Sequence, residues 1–165
     1  MIQEAKKAFE KACEILGSKF ATQAALVMVL AVGYQETKYL SRRQLVSEGG
    51  KLVAAGPAAS WWQFEKGGGI AGVLKHHASA ALALKLCEAR NCAPTTEAVW
   101  VQMQYDDVLG AGFARLLLLT DPRALPAIGN SEPAWQCYIR NWRPGKPHPQ
   151  TWATSYLNAL KAAGV

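Results

Sequence analysis

From Ala24 to Val32 the chain is apolar at every position, reading AALVMVLAV, while the segments around it alternate apolar and polar residues with helical spacing. A run without a polar face has nothing to offer solvent, so it predicts a buried central helix. Thr22 is placed to cap it, and Gly33 allows close packing near its end. Tyr34, Gln35 and Glu36 then emerge into a cleft. Residues 3–16 put Ala5, Ala8, Phe9, Ala12, Cys13 and Leu16 on one face of a helix that Gly17 stops.

Residues 41–69 break the helical pattern. Gly49-Gly50, Gly56-Pro57 and Gly67-Gly68-Gly69 supply too many turn signals for a long helix. Short strands are predicted around Lys51–Ala55 and Trp61–Phe64, in a small sheet or an ordered loop. The triple glycine lacks the Lys-Ser/Thr of a phosphate-binding loop and reads as a hinge and helix start. Beyond it, helices are predicted over 69–77, 78–91, 98–105, 107–121, 131–142 and 151–163. Pro94, Pro122 and the run RPGKPHP punctuate them. The predicted fold class is all-α, or α-rich α+β: a helical bundle around one buried helix with a small irregular or β-containing lobe. Residues 1–165 form one domain, with 41–69 as the minor lobe.

Composition narrows the function classes. Half the residues are hydrophobic and 18% are charged, which excludes disorder. Eighteen Lys and Arg against twelve Asp and Glu give a net charge of +6, favouring anionic partners such as nucleic acid, membrane headgroups or an acidic cell-envelope polymer. No stretch approaches the ~20 apolar residues that cross a bilayer, so no membrane insertion is expected. The N-terminus lacks the order of a signal peptide, which predicts synthesis into a cytoplasm. Cys13, Cys87, Cys92 and Cys137 then read as free thiols. His76 and His77, expected on different helix faces, read as helix-end residues, and no metal or cofactor is expected.

Glu36 is the leading catalytic candidate. A carboxyl at the exit of an apolar helix is costly to ionise, which raises its pKa toward the range where it can protonate a leaving group. Trp61, Trp62 and Gln63 offer flat apolar faces beside an amide, a combination suited to a sugar ring. Two consecutive tryptophans in a loop are expected to point different ways, one of them toward the cleft. Tyr39, Tyr138 and Trp142 complete the candidate saccharide groove. Glu65 and, less so, Glu48 are candidates for a second carboxylate, which a hydrolase needs to stabilise the cation or to position water.

These residues carry a resemblance. Glu36-Thr37-Lys38-Tyr39, at the end of an apolar helix, is similar to the Glu-Ser-x-aromatic motif of lytic transglycosylases and goose-type lysozymes. Gly56 to Gln63 resembles the Gly-x-x-Gly-Leu-Met-Gln segment that follows it there. Thr37 stands for the usual serine, Trp61-Trp62 for Leu-Met and Ser60 for a glycine, and the gap from Glu36 to Gln63 is longer. The wording of residues 25–160 also resembles small lysozyme-like proteins of tailed bacteriophages, whereas the motif match to characterised enzymes covers residues 34–63. The resemblance implies a lysozyme-like fold and cleavage of the β-1,4 bond between N-acetylmuramic acid and N-acetylglucosamine in peptidoglycan. It implies Glu36 as acid and then base, with the substrate's C6 hydroxyl attacking in a transglycosylase, and a late-helix tyrosine, Tyr138, touching that acid. A non-enzymatic lysozyme-like virion or binding protein is the alternative.

Arg140, Arg143, Lys146 and His148 surround Trp142. Basic groups among aromatics describe either a nucleic-acid patch or a loop that holds the peptide-stem carboxylates of peptidoglycan. The second is favoured because no nucleic-acid motif accompanies them. The expected partners are bacterial peptidoglycan and other phage virion or lysis proteins. The expected site of action is the cell wall or periplasm, after release from the host cytoplasm or from a virion.

Overall fold

A computed structural model describes residues 1–165. It begins with α1 (Ile2–Leu16), whose buried face carries the six residues that the sequence spacing picks out. A 3-10 turn (Ser18–Phe20) leads to α2 (Gln23–Thr37). Thr22 Oγ1 caps α2 by accepting from the Ala25 amide at 3.2 Å. Every residue from Ala25 to Gly33 is buried, so α2 is the central rod. Each large side chain sealed there contributes about 1.5–3 kcal/mol of gross hydrophobic stabilisation.

The minor lobe is an antiparallel hairpin, β1 (Arg43–Glu48) and β2 (Lys51–Ala59). Gly49 and Gly50 turn it with φ of 57° and 80°, the two positive values a two-residue hairpin turn requires. Strand β2 covers the predicted Lys51–Ala55, but its partner precedes it in the chain. The expected strand at Trp61–Phe64 is instead a tight turn, closed by an isolated bridge between Ala59 and Phe64. Ser60 (φ 66°) and Gln63 (φ 51°) take the left-handed backbone that folds the turn back on itself.

A π-type turn (Lys66–Ile70) uses the triple glycine, and the short α3 (Ala71–Lys75) follows. Then come α4 (Ala80–Ala89), α5 (Thr96–Gln102), α6 (Asp107–Thr120), α7 (Ser131–Trp142) and α8 (Pro149–Ala163). The chain is therefore helix-rich α+β. Helices α1, α6, α7 and α8 pack around α2, and one continuous apolar core runs from α1 to α8 through Trp61, Trp62 and Phe64. No helix is long and apolar enough to cross a membrane. All four cysteines are buried and free. His76 and His77 end α3 as expected, but their rings lie together, 4.3 Å between centroids, and not on separate faces.

Two arginines dock the hairpin onto the helical body. Arg42 grips both carboxylate oxygens of Asp107, at 2.7 and 2.8 Å, and lies 4.1 Å over the Trp61 ring. Arg43 lies 4.4 Å over Trp100 and donates to the carbonyls of Ala55 and Gly56. The hairpin stem is thus held beside the exit of α2.

Candidate active site: a raised carboxyl on the floor of a basic cleft

At its exit, α2 turns from core to cleft within four residues. Gly33 has no side chain because the Tyr39 ring lies where a Cβ would be, 2.6 Å from its ideal position. Tyr39 Oη donates to the Leu30 carbonyl at 2.7 Å, so the ring lies back along the helix. Lys38 and Tyr39 reach this geometry through left-handed backbone, φ 50° and 61°. Thr37 fixes the reversal: its hydroxyl donates to the carbonyls of Gly33 and Trp61, and it accepts from the Tyr39 amide. Gln35 ties the same turn to α8, donating to Thr151 Oγ1 at 2.9 Å and accepting from Ser155 Oγ at 2.8 Å. Between these two anchored residues stands Glu36.

Glu36 opens on a cleft of about 1400 Å³ that lies between the hairpin, the π-type turn and the C-terminal end of α7. The residue is half-buried, its carboxyl set into the cleft floor. Burial pushes its pKa up from the ordinary 4.5 to about 7, and a hydrogen bond from Tyr138 opposes part of that rise. Tyr138 Oη donates to Glu36 Oε1 at 2.7 Å. The tyrosine is itself fixed, stacked on Trp152 at 5.3 Å and 11°, and burial raises its own pKa further above the ordinary value. A carboxyl poised near neutral pH and oriented by a fixed donor can give a proton to a leaving oxygen and take one back.

The remaining candidates separate. Trp142 is half-buried, lines the cleft and sits one helical turn beyond Tyr138, so both project from one face of α7. Its Nε1 donates to the Trp62 carbonyl at 2.9 Å. Gln63 lines the cleft, with its amide nitrogen donating to the Ser60 carbonyl at 2.8 Å. Glu65 is exposed on the cleft wall and is the only other carboxylate lining it. Glu48 lies at the hairpin tip, outside the cleft.

The saccharide shelf expected of Trp61 and Trp62 is absent. Both indoles are fully buried, and so is Tyr39. The three rings pack edge to face against one another, with centroids 5.2–6.4 Å apart. Trp62 Nε1 donates to the Val29 carbonyl on α2 at 2.8 Å, whereas Trp61 Nε1 is buried with no partner. In the tight turn 60–64 the backbone, and not the indoles, meets the cleft region, because burying two such large apolar rings against α2 gains more than exposing either.

Features that the residue types alone did not single out complete the floor and walls. Thr37 and Gln35 act through hydrogen bonds visible only once the chain is folded. Asp121, at the end of α6, accepts from Arg140 and Asn141 of α7. Burial works to raise its pKa, but these bonds, together with the Arg123 amide, hold it below the usual carboxylate range. This pair locks the turn of α7 that carries Tyr138 and Trp142. Five cations line the cleft, Lys38, Arg43, Arg140, Arg143 and Lys146, against the two acids Glu36 and Glu65. An anionic polymer is the ligand such a groove favours.

No family model matches the chain, and no curated protein or solved structure matches it.

Proposed function

We propose that this is a lysozyme-like protein that cleaves the glycan strands of bacterial peptidoglycan at the β-1,4 bond between N-acetylmuramic acid and N-acetylglucosamine. The observation that carries the reading is Glu36, a carboxyl whose pKa is raised to about 7 on the floor of a cleft of about 1400 Å³ and held by Tyr138. It stands in the motif, Glu36 to Tyr39, through which the chain resembles lytic transglycosylases and goose-type lysozymes. The further resemblance to small phage proteins makes it a phage-encoded endolysin or virion-associated lysin, acting at the cell wall after release or from a particle.

In this mechanism Glu36 gives its proton to the bridging O4 as the C1–O4 bond breaks through an oxocarbenium-like state. The carboxylate left behind takes the proton of the substrate's C6 hydroxyl as O6 bonds to C1. The products are a free 4-hydroxyl and a 1,6-anhydro sugar, without water. One well-placed acid suffices for this route, which suits a cleft whose second carboxylate, Glu65, is an exposed wall residue. Were Glu65 instead to position a water, the product would be a reducing end.

The burial of both Trp61 and Trp62 favours a second reading, a lysozyme-like virion protein that binds glycan without cutting. The test is clearance of purified cell walls followed by mass analysis of the products. Wild-type protein is expected to release anhydro-ended fragments, and Glu36→Gln is expected to lose about 10²–10⁴ of that rate while staying folded. Wild-type protein that binds walls and releases nothing would establish the second reading.

A further inference from the structure

The four buried cysteines are not equivalent. Cys13, on α1, lies beside Arg115, and Cys137, on α7, lies 3.6 Å from the amide nitrogen of Asn141. Cys87 and Cys92 lie beside each other. The end of α4 puts them there. Asn91 takes left-handed backbone, φ 51°, so the chain folds back on the helix it has just left. The Cys92 amide then donates to the Cys87 carbonyl at 2.9 Å, and the Asn91 amide to the Glu88 carbonyl at 3.1 Å. Those two bonds are the Schellman closure of a helix, in which the side chains of the outer residues commonly meet. Apolar residues ordinarily make that contact; here both positions are thiols.

The segment between them is also a joint. Arg90 donates from Nε to Asp106, the cap of α6, at 2.8 Å, and its carbonyl accepts from Gln102 of α5 at 2.7 Å. Helix α5 in turn carries Trp100, whose Nε1 donates to the Pro57 carbonyl of the hairpin at 2.8 Å. The turn that brings the two sulfurs together therefore ties α4 to α5 and α6, and through α5 to the minor lobe.

We propose that Cys87 and Cys92 are a redox site, a dithiol that a disulfide-bearing oxidant closes into a reversible staple across the end of α4. A disulfide needs Cα atoms about 4.4–6.8 Å apart, and a wider gap calls for main-chain movement. Here a hydrogen bond already joins the two main chains, so side-chain rotation brings the sulfurs to bonding distance. Cys92 is the attacking thiol. It is 7% exposed and sits between the exposed Asn91 and Ala93, whereas Cys87 is fully buried. Burial and the adjoining Cys92 push the Cys87 thiol up to about 12, while a hydrogen bond from Cys87 opposes the effect of burial on Cys92. The Cys92 thiolate, reached when the helix end opens locally, attacks one sulfur of the oxidant and releases the other as a thiol. Cys87 then gives up its proton and attacks the Cys92 sulfur, and the second oxidant sulfur leaves as a thiol. Two protein thiols are oxidised to one disulfide, and one disulfide is reduced to two thiols. The pair stays open in a reducing compartment and closes in an oxidising one, whether or not Glu36 cuts a glycan.

The test equilibrates the full reduced chain with glutathione buffers from fully reduced to fully oxidised, followed by acid quenching, alkylation and digestion without reductant. Trypsin cuts between the two cysteines, after Arg90. In oxidised buffer the two peptides that part there are expected to remain joined and unalkylated, while Cys13 and Cys137 are alkylated once the chain is denatured. The melting temperature of the oxidised chain is expected to rise by about 5 °C, because the bond restricts the unfolded chain. Dithiothreitol should reverse both changes. A Cys13→Ala, Cys137→Ala double variant should keep the bond and the shift, and Cys92→Ala should lose both. If Cys92→Ala fails to fold, the bond mapped in the unaltered chain still decides. Cys87 and Cys92 both alkylated in oxidised buffer, glutathione retained on either one, or a bond formed without a rise in melting temperature would overturn the staple.

Discussion

Trp62 and Trp142 touch through a hydrogen bond, the indole N–H of Trp142 on the carbonyl of Trp62, yet they belong to different parts of the molecule. Trp62 is in a five-residue turn and has no exposed surface; it packs on Tyr39 and Trp61 and reaches the backbone of α2. Trp142 is on a helix and keeps part of its ring in the cleft, one turn from the tyrosine that holds Glu36. The contrast shows where an aromatic site comes from in this fold. A loop that folds tightly onto a buried helix turns its large apolar residues inward, and its backbone meets the next layer. A helix at the rim has no such choice, because its i and i+4 positions share a face whether or not that face is covered.

If Trp62 is structural, removing it should damage the fold before it damages binding. Trp62→Ala is expected to cost about 3–5 kcal/mol, the range for truncating a buried aromatic, read as a shifted midpoint in urea unfolding. A variant of wild-type stability with a raised KM would return Trp62 to the substrate groove.

The next largest effect concerns Glu36 and runs in the opposite direction. Its pKa is about 7 in the fold against an ordinary 4.5, so the folded protein holds the proton more tightly. The stabilisation from a neutral, buried carboxyl is complete below pH 4.5 and is lost as pH rises through 7. Glu36→Gln cannot ionise. It is expected to be more stable than wild type at pH 8 by about 2 kcal/mol, a figure reduced for partial exposure, and to match it at pH 4. Thermal melts across that range check the sign. On the proposed function, cell-wall clearance is expected to follow the same proton, present on the acid side of about 7 and falling above it.

Tyr138→Phe should have a smaller effect. The hydroxyl favours the ionised carboxylate, so its loss moves the alkaline limb of the pH–rate profile upward and, by loosening the acid, lowers the rate about tenfold. A rate change with no shift of that limb would mean that Tyr138 acts only through packing. Smallest of all, Trp142→Phe keeps a ring on the cleft wall and loses one hydrogen bond. About 1 kcal/mol of stability and a modest rise in KM are expected from the same melts and rate curves.

The sequence made some of this legible. The unbroken apolar run of α2, the Thr22 cap and the helices after residue 69 were all readable, because each depends on local spacing and on capping chemistry. Glu36 was readable because helix position and side-chain type together suggest a buried acid. Tyr138 followed from the resemblance, and its contact with Glu36 is present. Strand β1 was not readable, since RQLVSE has few strand formers and pairs only because the Gly49-Gly50 turn brings β2 back onto it. The burial of Trp61 and Trp62 could not be read either, as it depends on a contact with Val29, 33 residues away from Trp62. The roles of Gln35 and Thr37 depend on partners more than 100 and 24 positions distant.

The most direct measurement is the titration of Glu36 itself. Carbon-13 NMR of the glutamate side-chain carboxyls, assigned by loss of one resonance in Glu36→Gln, follows each carboxyl across pH 3 to 9. One glutamate, Glu36, is expected to titrate near 7, and to titrate still higher in Tyr138→Phe. A Glu36 that titrates near 4.5 and ignores the loss of the tyrosine hydroxyl would rule out a buried proton donor held by Tyr138.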